Sequence, residues 1–258
     1  MNKVIREIKK NLYRLRGCAT LRLKERTLTA LNPRFHISTN IEEEKILEKD
    51  YEEALLEIFL KEIRPGDIVF DIGANIGLYT LPSVLKLDGT GNVFAFEPVP
   101  LWFQRLKENI DLNKFSPHQV APFNVGLSDK NEICEMIIRG VQGSGMGSIM
   151  PGYREKLGKK KTISIPVQMV QGYDFLLEEK IPLPNIIKID VEGAELAVLL
   201  GLGKALQKPE CRFILCEVHP HFMTEPSERV EKLLKEYGFR IQISEQRRTE
   251  YYLLARRS

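Results

Sequence analysis

Val69 to Leu81 reads VFDIGANIGLYTL: an apolar strand runs into Asp71, and a Gly-x-Asn-x-Gly turn follows before apolar residues resume. Gly73 and Gly77 take side chains out of the turn, so its backbone amides can approach a bound group closely, with the Asp71 carboxylate beside them. A strand, a glycine turn and then a helix open a nucleotide-type α/β unit, and the glycine spacing tells what the turn would hold. A dinucleotide fingerprint needs G-x-G-x-x-G to seat a pyrophosphate on a helix N-terminus. Here Gly73 and Gly77 are four apart, Asn75 stands between them, and no third glycine follows in place. The pyrophosphate reading is weakened.

Working outward, Val93 to Pro98 reads VFAFEP and ends in Glu97, twenty residues beyond Gly77. A carboxylate at the end of the next parallel strand can accept hydrogen bonds from both hydroxyls of a ribose. A solvated strand-end glutamate is the plain alternative; the four apolar residues before Glu97 favour the ribose. A ribose without a pyrophosphate fits S-adenosylmethionine, with its methionine end over the turn.

From here strand and helix alternate, the pattern of a doubly wound, mostly parallel α/β sheet. Ile68–Ile72, Val93–Phe96, Ile186–Ile189 and Phe213–Leu215 are apolar apart from Asp71 and Lys188 and do not alternate, as strands covered on both faces must be. Phe103, Leu106 and Ile110 mark one helix face. Val230, Leu233, Leu234 and Tyr237 mark another, stopped at Gly238 as a left-handed cap. Phe239–Ser244 and Tyr251–Ala255 are joined by a short polar segment and must be antiparallel neighbours. Ile133–Arg139 and Thr162–Val170 are expected as extra strands around the glycine-rich GVQGSGMGSIMPG, which suits a mobile lid and a plain connection equally.

Two units are expected. Residues 1–63 form an N-terminal extension: a basic helix carrying Val4, Ile5, Ile8, Leu12 and Leu15, short strands over 20–40, and a long helix Ile41–Ile63 with Leu47, Tyr51, Leu55, Ile58, Phe59 and Ile63 on one side. Residues 64–258 form the catalytic-type domain, with the inserted strand pair and loop at about 130–172. The basic helix suits a membrane surface or polyanion, yet packing on its own domain is the favoured reading.

The 258 residues, 43% hydrophobic and 28% charged, describe an ordinary globular chain. Its formal charge is +3, but residues 1–26 hold nine Lys and Arg against two Glu, so the remainder is net acidic. No apolar run approaches the roughly 20 residues that span a bilayer. The N-terminus lacks the apolar core and cleavage site of a secretory signal, so the expectation is a cytoplasmic protein starting near Met1. Cys18, Cys134, Cys211 and Cys216 have no paired metal spacing, and neither zinc nor a disulfide is expected.

Ligands of such sheets bind outside the carboxyl ends of the strands. Two late segments reach that edge. In KIDVEGAE, Asp190 emerges at a strand end and Glu192 precedes a helix; in CEVHP, Glu217 and His219 are two apart and point to one side.

Taken in order, VFDIGANIGLYTL, FAFEP, NVGLSD at Asn124 to Asp129, IIKIDVEGAE and CEVHP resemble the successive motifs of the FkbM family of class I S-adenosylmethionine-dependent methyltransferases. The resemblance runs from about Tyr51 to the C-terminus. It implies a seven-stranded Rossmann-like sheet with a C-terminal antiparallel strand, and O-methylation of a sugar or natural-product hydroxyl. It also implies that Asp71, Gly73, Ala74, Asn75 and Gly77 hold the methionine portion, Glu97 and Pro98 the ribose, and Asn124 the adenine side, with Asp190 near the reacting methyl. Methyl transfer needs an aligned acceptor and removal of its proton. His219 is the expected general base, on the premise of an unperturbed imidazole with a pKa of about 6.5, and Glu192 or Glu217 would orient it or bind a hydroxyl. No metal is expected, although oxygen ligands from Asp190, Glu192 and Glu217 would suit magnesium or calcium. His36, His118 and His221 are taken as ordinary.

Other function classes remain: an RNA or protein methyltransferase using the basic arm, or a non-catalytic S-adenosylmethionine-binding module. Nucleic acid is disfavoured because basic residues do not continue around the pocket motifs. The oligomeric state is not legible.

Overall fold

The structure, a computed structural model, describes residues 22–25, 31, 33–37, 51–139, 147–150, 153, 162–246 and 250–257. The basic helix, Leu47 and the first half of the long helix, Cys18, and most of the glycine-rich loop lie outside these residues.

Among the described residues the central sheet has seven strands. They are β3 (Ile68–Ile72), β4 (Asn92–Phe96), β5 (Val120–Phe123), β10 (Ile186–Ile189), β11 (Phe213–Val218), β12 (Arg240–Gln246) and β13 (Tyr251–Arg256), in the order β12-β13-β11-β10-β3-β4-β5. All neighbouring pairs from β5 to β11 are parallel, while β13 runs antiparallel to both β11 and β12. The expected sheet is therefore present, with the last strand inserted inside its edge. The remaining strands begin with the antiparallel pair β1 (Arg22–Glu25) and β2 (Arg34–Ile37). A second sheet of β6 (Gly126–Ser128), β7 (Glu132–Arg139), β8 (Gly147–Ser148) and β9 (Thr162–Gln171) is ordered β6-β9-β7-β8.

The largely apolar strands divide their residues between two cores, because successive side chains alternate faces. Val69, Val93, Ala95, Ile186 and Phe213 pack with helices α1 (Tyr51–Glu62), α2 (Thr80–Leu87) and α3 (Pro100–Leu112). Phe70, Ile72, Phe96, Ile187, Ile189, Ile214 and Cys216 pack on the other face. There they meet α4 (Gly172–Glu178), α5 (Glu195–Gly201), α6 (Gly203–Leu206) and α7 (Glu228–Glu236). α7 ends at Tyr237 and the next residue, Gly238, has φ +90°. Among the described residues no helix is long and apolar enough to cross a membrane.

Residues of the N-terminal extension share this core. Leu55, Leu56, Phe59 and Leu60 of α1 are buried against it, as is Phe35 of β2. β2 is fixed to α3 by His36 N donating to Asn109 Oδ1 at 2.7 Å and by Arg105 donating to His36 O at 2.9 Å. After α1 the chain turns through Arg64-Pro65-Gly66-Asp67, and Asp67 receives Arg212 on both carboxylate oxygens.

Candidate functional site

The turn of the opening motif sits between β3 and β10. Gly73 has φ +77°, and a Cβ there would lie 1.8 Å from the backbone oxygen of Asp190. Only glycine allows this approach of turn to strand end. Gly73→Ala is expected to destabilise the fold by about 3 kcal/mol or more, from left-handed strain plus a backbone overlap that cannot relax. A urea midpoint unchanged from wild type would contradict that geometry.

The turn amides have partners within the protein. Gly73 N and Ala74 N both donate to Phe96 O at 3.0 Å, Asn75 N donates to Glu97 Oε2 at 2.8 Å, and Gly77 N donates to Ala74 O at 2.8 Å. Buried backbone donors must be satisfied, and β4 is the nearer acceptor. This corrects the expectation that these amides face a ligand: they clamp the turn onto β4.

Asp71 likewise lies beneath the turn rather than on a cavity wall. It is 1% exposed, receives Thr80 Oγ1 at 2.6 Å on Oδ2, and has the Lys188 ammonium 3.6 Å from Oδ1. Lys188 stands directly beside Asp71 in the β10–β3 register. It also donates to Gly73 O at 3.0 Å and reaches Asp190 Oδ2 at 3.4 Å. Its single charge therefore ties the first strand, the turn and the late strand end together.

Above the turn lies a narrow cleft with a cavity volume of about 50 Å³. Gly73, Asn75, Glu97, Pro98, Asp190 and Glu192 line it, joined by an apolar wall that includes Trp102, Met136, Ile149 and Met169. β7, β8 and β9 supply part of this wall, so the inserted sheet covers the cleft. Asn124 is set behind the wall, where its amide donates to Glu97 O at 2.8 Å and Pro98 O at 3.1 Å and so holds the main chain of that corner. Ala74 and Gly77 are also set back from the cleft, inside the turn.

Glu97 is 2% exposed. Burial raises its pKa from 4.5 to about 7, outweighing the backbone N–H groups of Val99 and Asn75 and the charge of Lys188, which act to lower it. Val99 N bonds Oε1 at 2.8 Å, so each oxygen has one protein donor and retains accepting capacity.

On the opposite wall, Glu192 has φ 52° and Gly193 φ +105°, where a Cβ would press on Phe222 and Met150. A glutamate held in the left-handed region marks a locally strained backbone. Ser148 Oγ bonds Glu192 O at 2.5 Å. Next to Glu192 is His219, whose Nε2 is 4.0 Å from Glu192 Oε2 and 3.4 Å from Glu217 Oε1. His219 Nδ1 is 2.8 Å from Oε1 of Glu195, which is fully buried and also accepts Gly193 N at 2.9 Å. Tyr252 OH donates to Glu217 Oε1 at 2.8 Å.

The structure thus brings Asp190, Glu192, Glu217 and His219 together, as their strand-end positions predict, but it corrects the premise behind the base assignment. Burial acts to lower the His219 pKa. The bonded carboxylates of Glu195 and Glu217, with the charge of Glu192, outweigh burial and hold it well above 6.5. The imidazole is held by buried carboxylates on both sides, so the premise of an unperturbed ring does not hold. Lys188, Glu195 and Trp102 were not singled out from sequence. A signal existed for the first two, since each is a charge inside an otherwise apolar run.

A protein-family model described as "Methyltransferase FkbM domain" matches residues 71–241. The chain is 32% identical over 209 residues to the hexuronic acid methyltransferase AglP of Haloferax volcanii, covering 80% of this chain and 77% of that protein. It is 29% identical over 208 residues to the 31-O-demethyl-FK506 methyltransferase FkbM of Streptomyces tacrolimicus, covering 70% of this chain and 75% of that one. A solved structure of a proposed rRNA methylase from Clostridium thermocellum superposes with a TM-score of 0.51 at 13% identity, covering 81% of this chain and 97% of that chain, which speaks to the fold alone.

Proposed function

The chain belongs to the FkbM family of methyltransferases and depends on S-adenosylmethionine, and from that premise we propose that it methylates an oxygen of a sugar or similar small polar metabolite. The observation that carries the proposal is the pairing, across one cleft, of a buried ribose-type acceptor with a polar cluster. Glu97 supplies the first and Asp190 and Glu192 the second, with His219 next to Glu192 and Glu217 next to His219. Two relatives support an oxygen acceptor: one is named for a hexuronic acid and the other for an O-demethyl compound.

The residues present fit the cofactor. Glu97 would accept the ribose hydroxyls, the apolar wall with Trp102 and Met169 would take the adenine, and Asn75 with the Gly73 turn would border the methionine end. Asn124 acts indirectly, by fixing the Glu97 and Pro98 carbonyls. When bound, S-adenosylmethionine supplies an electrophilic methyl group. Asp190 and Glu192 are the carboxylates that stand on the wall, so they receive the hydrogen bond of an acceptor hydroxyl and draw its proton away. His219 holds this wall in place through its ion pairs with Glu195 and Glu217.

The test incubates the protein with S-adenosylmethionine and a panel of uronic acids, neutral hexoses and polyols, with tRNA and peptide as controls. A mass gain of one methylene on a carbohydrate supports the proposal. Transfer to tRNA or peptide alone would reverse it. His219→Gln is expected to lower kcat by about a hundredfold, the scale of a lost proton-handling cluster, with S-adenosylmethionine affinity unchanged. Undiminished kcat would remove His219 from the mechanism.

A further inference from the structure

We propose that Trp102 recognises the base of S-adenosylmethionine, its indole N–H donating to a ring nitrogen of the adenine. The inference rests on the placing of adenine at the apolar wall made above, and deepens it to one hydrogen bond.

Trp102 lies in the first turn of α3, shortly after Glu97, and lines the same cleft. It is 6% exposed, and its Nε1 is buried with no hydrogen-bond partner. A buried tryptophan usually finds a partner for this N–H, and a donor left without one carries its full desolvation cost. Nothing around the ring can relieve it from within. Trp102 clusters with Val99, Met136, Ile138, Val167 and Met169, all apolar, and a Cβ at Gly147 of β8 would lie 3.1 Å from Cη2. An accepting ligand in the cleft relieves the cost.

The chemistry of the donor selects which part of the cofactor it meets. Indole N–H donates and cannot accept, so its partner is an acceptor carried on an apolar body. The ribose hydroxyls belong to Glu97, and the charged groups of the methionine end do not suit an apolar wall. The exocyclic amine of adenine is itself a donor. The ring nitrogens remain, acceptors at the rim of a flat base whose faces suit the thioethers of Met136 and Met169. Among the described residues that line the cleft, only Asn75 and Trp102 carry a side-chain N–H, and Asn75 belongs to the turn at the methionine end.

The cavity of about 50 Å³ is far smaller than a small-molecule site, which takes roughly 300 Å³ or more. The base therefore enters by parting the wall. Met136 and Met169 are the side chains that yield, being unbranched and adaptable, and their movement uncovers Nε1 to the base.

The experiment measures binding to the full chain by calorimetry, so that no methyl acceptor is required. The probes are S-adenosylhomocysteine and its 1-deaza, 3-deaza and 7-deaza analogues, each of which replaces one ring nitrogen by C–H while keeping the shape. Wild-type protein is expected to bind one analogue about tenfold more weakly than the others, the scale of one hydrogen bond. Trp102→Phe, which keeps an aromatic ring in the wall, should bind the parent compound about tenfold more weakly and no longer distinguish that analogue. Trp102 is the only tryptophan in the sequence, so ultraviolet resonance Raman of the wild-type protein gives a second readout that does not depend on the variant. Its indole N–H signature should shift to the hydrogen-bonded form with the parent compound and not with the weak analogue. Equal binding of all three analogues to wild type overturns the hydrogen bond, as does a Trp102→Phe variant that still distinguishes them; a uniform loss in that variant would leave adenine at the wall by packing alone. Wild-type affinity in Trp102→Phe, with no change in the indole signature, sinks the placing of adenine as well.

Discussion

Replacing Glu97 by Ala is expected to weaken S-adenosylmethionine binding by about two orders of magnitude. Hydrogen bonds to a charged acceptor contribute about 1.5–3 kcal/mol each; two ribose hydroxyls are lost together, and even the lower figure for both is by the usual conversion a factor of at least about a hundred. The pH dependence gives an independent check. Burial raises the carboxyl from 4.5 to about 7, so the free protein carries a partly protonated Glu97 at neutrality. Ribose hydroxyls donate best to the ionised form, so binding lowers this pKa and releases a proton. Affinity therefore rises with pH up to about 7 and levels off above it. With a pKa near 7, binding at pH 6 should be about tenfold weaker than at pH 8, and Glu97→Gln should be weak and flat across the same window. Calorimetry at both pH values decides it: wild-type affinity in the alanine variant, or the same slope in the glutamine variant, removes Glu97 from the ribose.

The second large effect is on stability. Lys188→Met is expected to cost about 3–5 kcal/mol, because it strands a buried carboxylate at Asp71 while conserving side-chain volume. Asp71 would keep the Thr80 hydroxyl as a partner but lose its neighbouring cation. For a chain of this size the thermal midpoint should fall by about 10 °C. Lys232→Met, on the exposed face of α7, should stay within about 0.5 kcal/mol and serves as the control. Adding Asp71→Asn to Lys188→Met should recover part of the loss, since the pair act on each other. A double variant no more stable than Lys188→Met alone would show that the ion pair is not the cause.

Much of this was legible in the chain. Four strands declare themselves by short apolar runs, two of them broken by one charge, and the C-terminal pair by its short connection. β5 does not, because Val120–Phe123 is short and contains Pro122; it joins the sheet by pairing with β4. The strand-end positions of Asp190, Glu192, Glu217 and His219 follow from alternation and topology. What each side chain does depends on partners distant in sequence. Lys188 matters through Asp71, 117 residues earlier, and its place in IIKI resembles any strand with one polar face. Glu195 reads as an interruption of the apolar stretch Ala194 to Leu202, and only folding shows it wedged between Gly193 N and His219. The same neighbour raises the His219 pKa above that of a free imidazole. Periodicity reports which face a residue occupies; titration and charge compensation depend on contacts across elements.

The position of β13 bears on how the molecule is made. It follows β11 and β12 in the chain but lies between them in the sheet. As the polypeptide leaves the ribosome, β12 therefore emerges with no strand to pair with, and the apolar edge of β11 stays open until Arg256 has been synthesised and released. Unpaired strand edges of this kind are where nascent chains associate wrongly. Tyr252 of the same strand bonds Glu217. Translation that stops before Tyr251 would thus leave an incomplete sheet and an incomplete polar cluster at once.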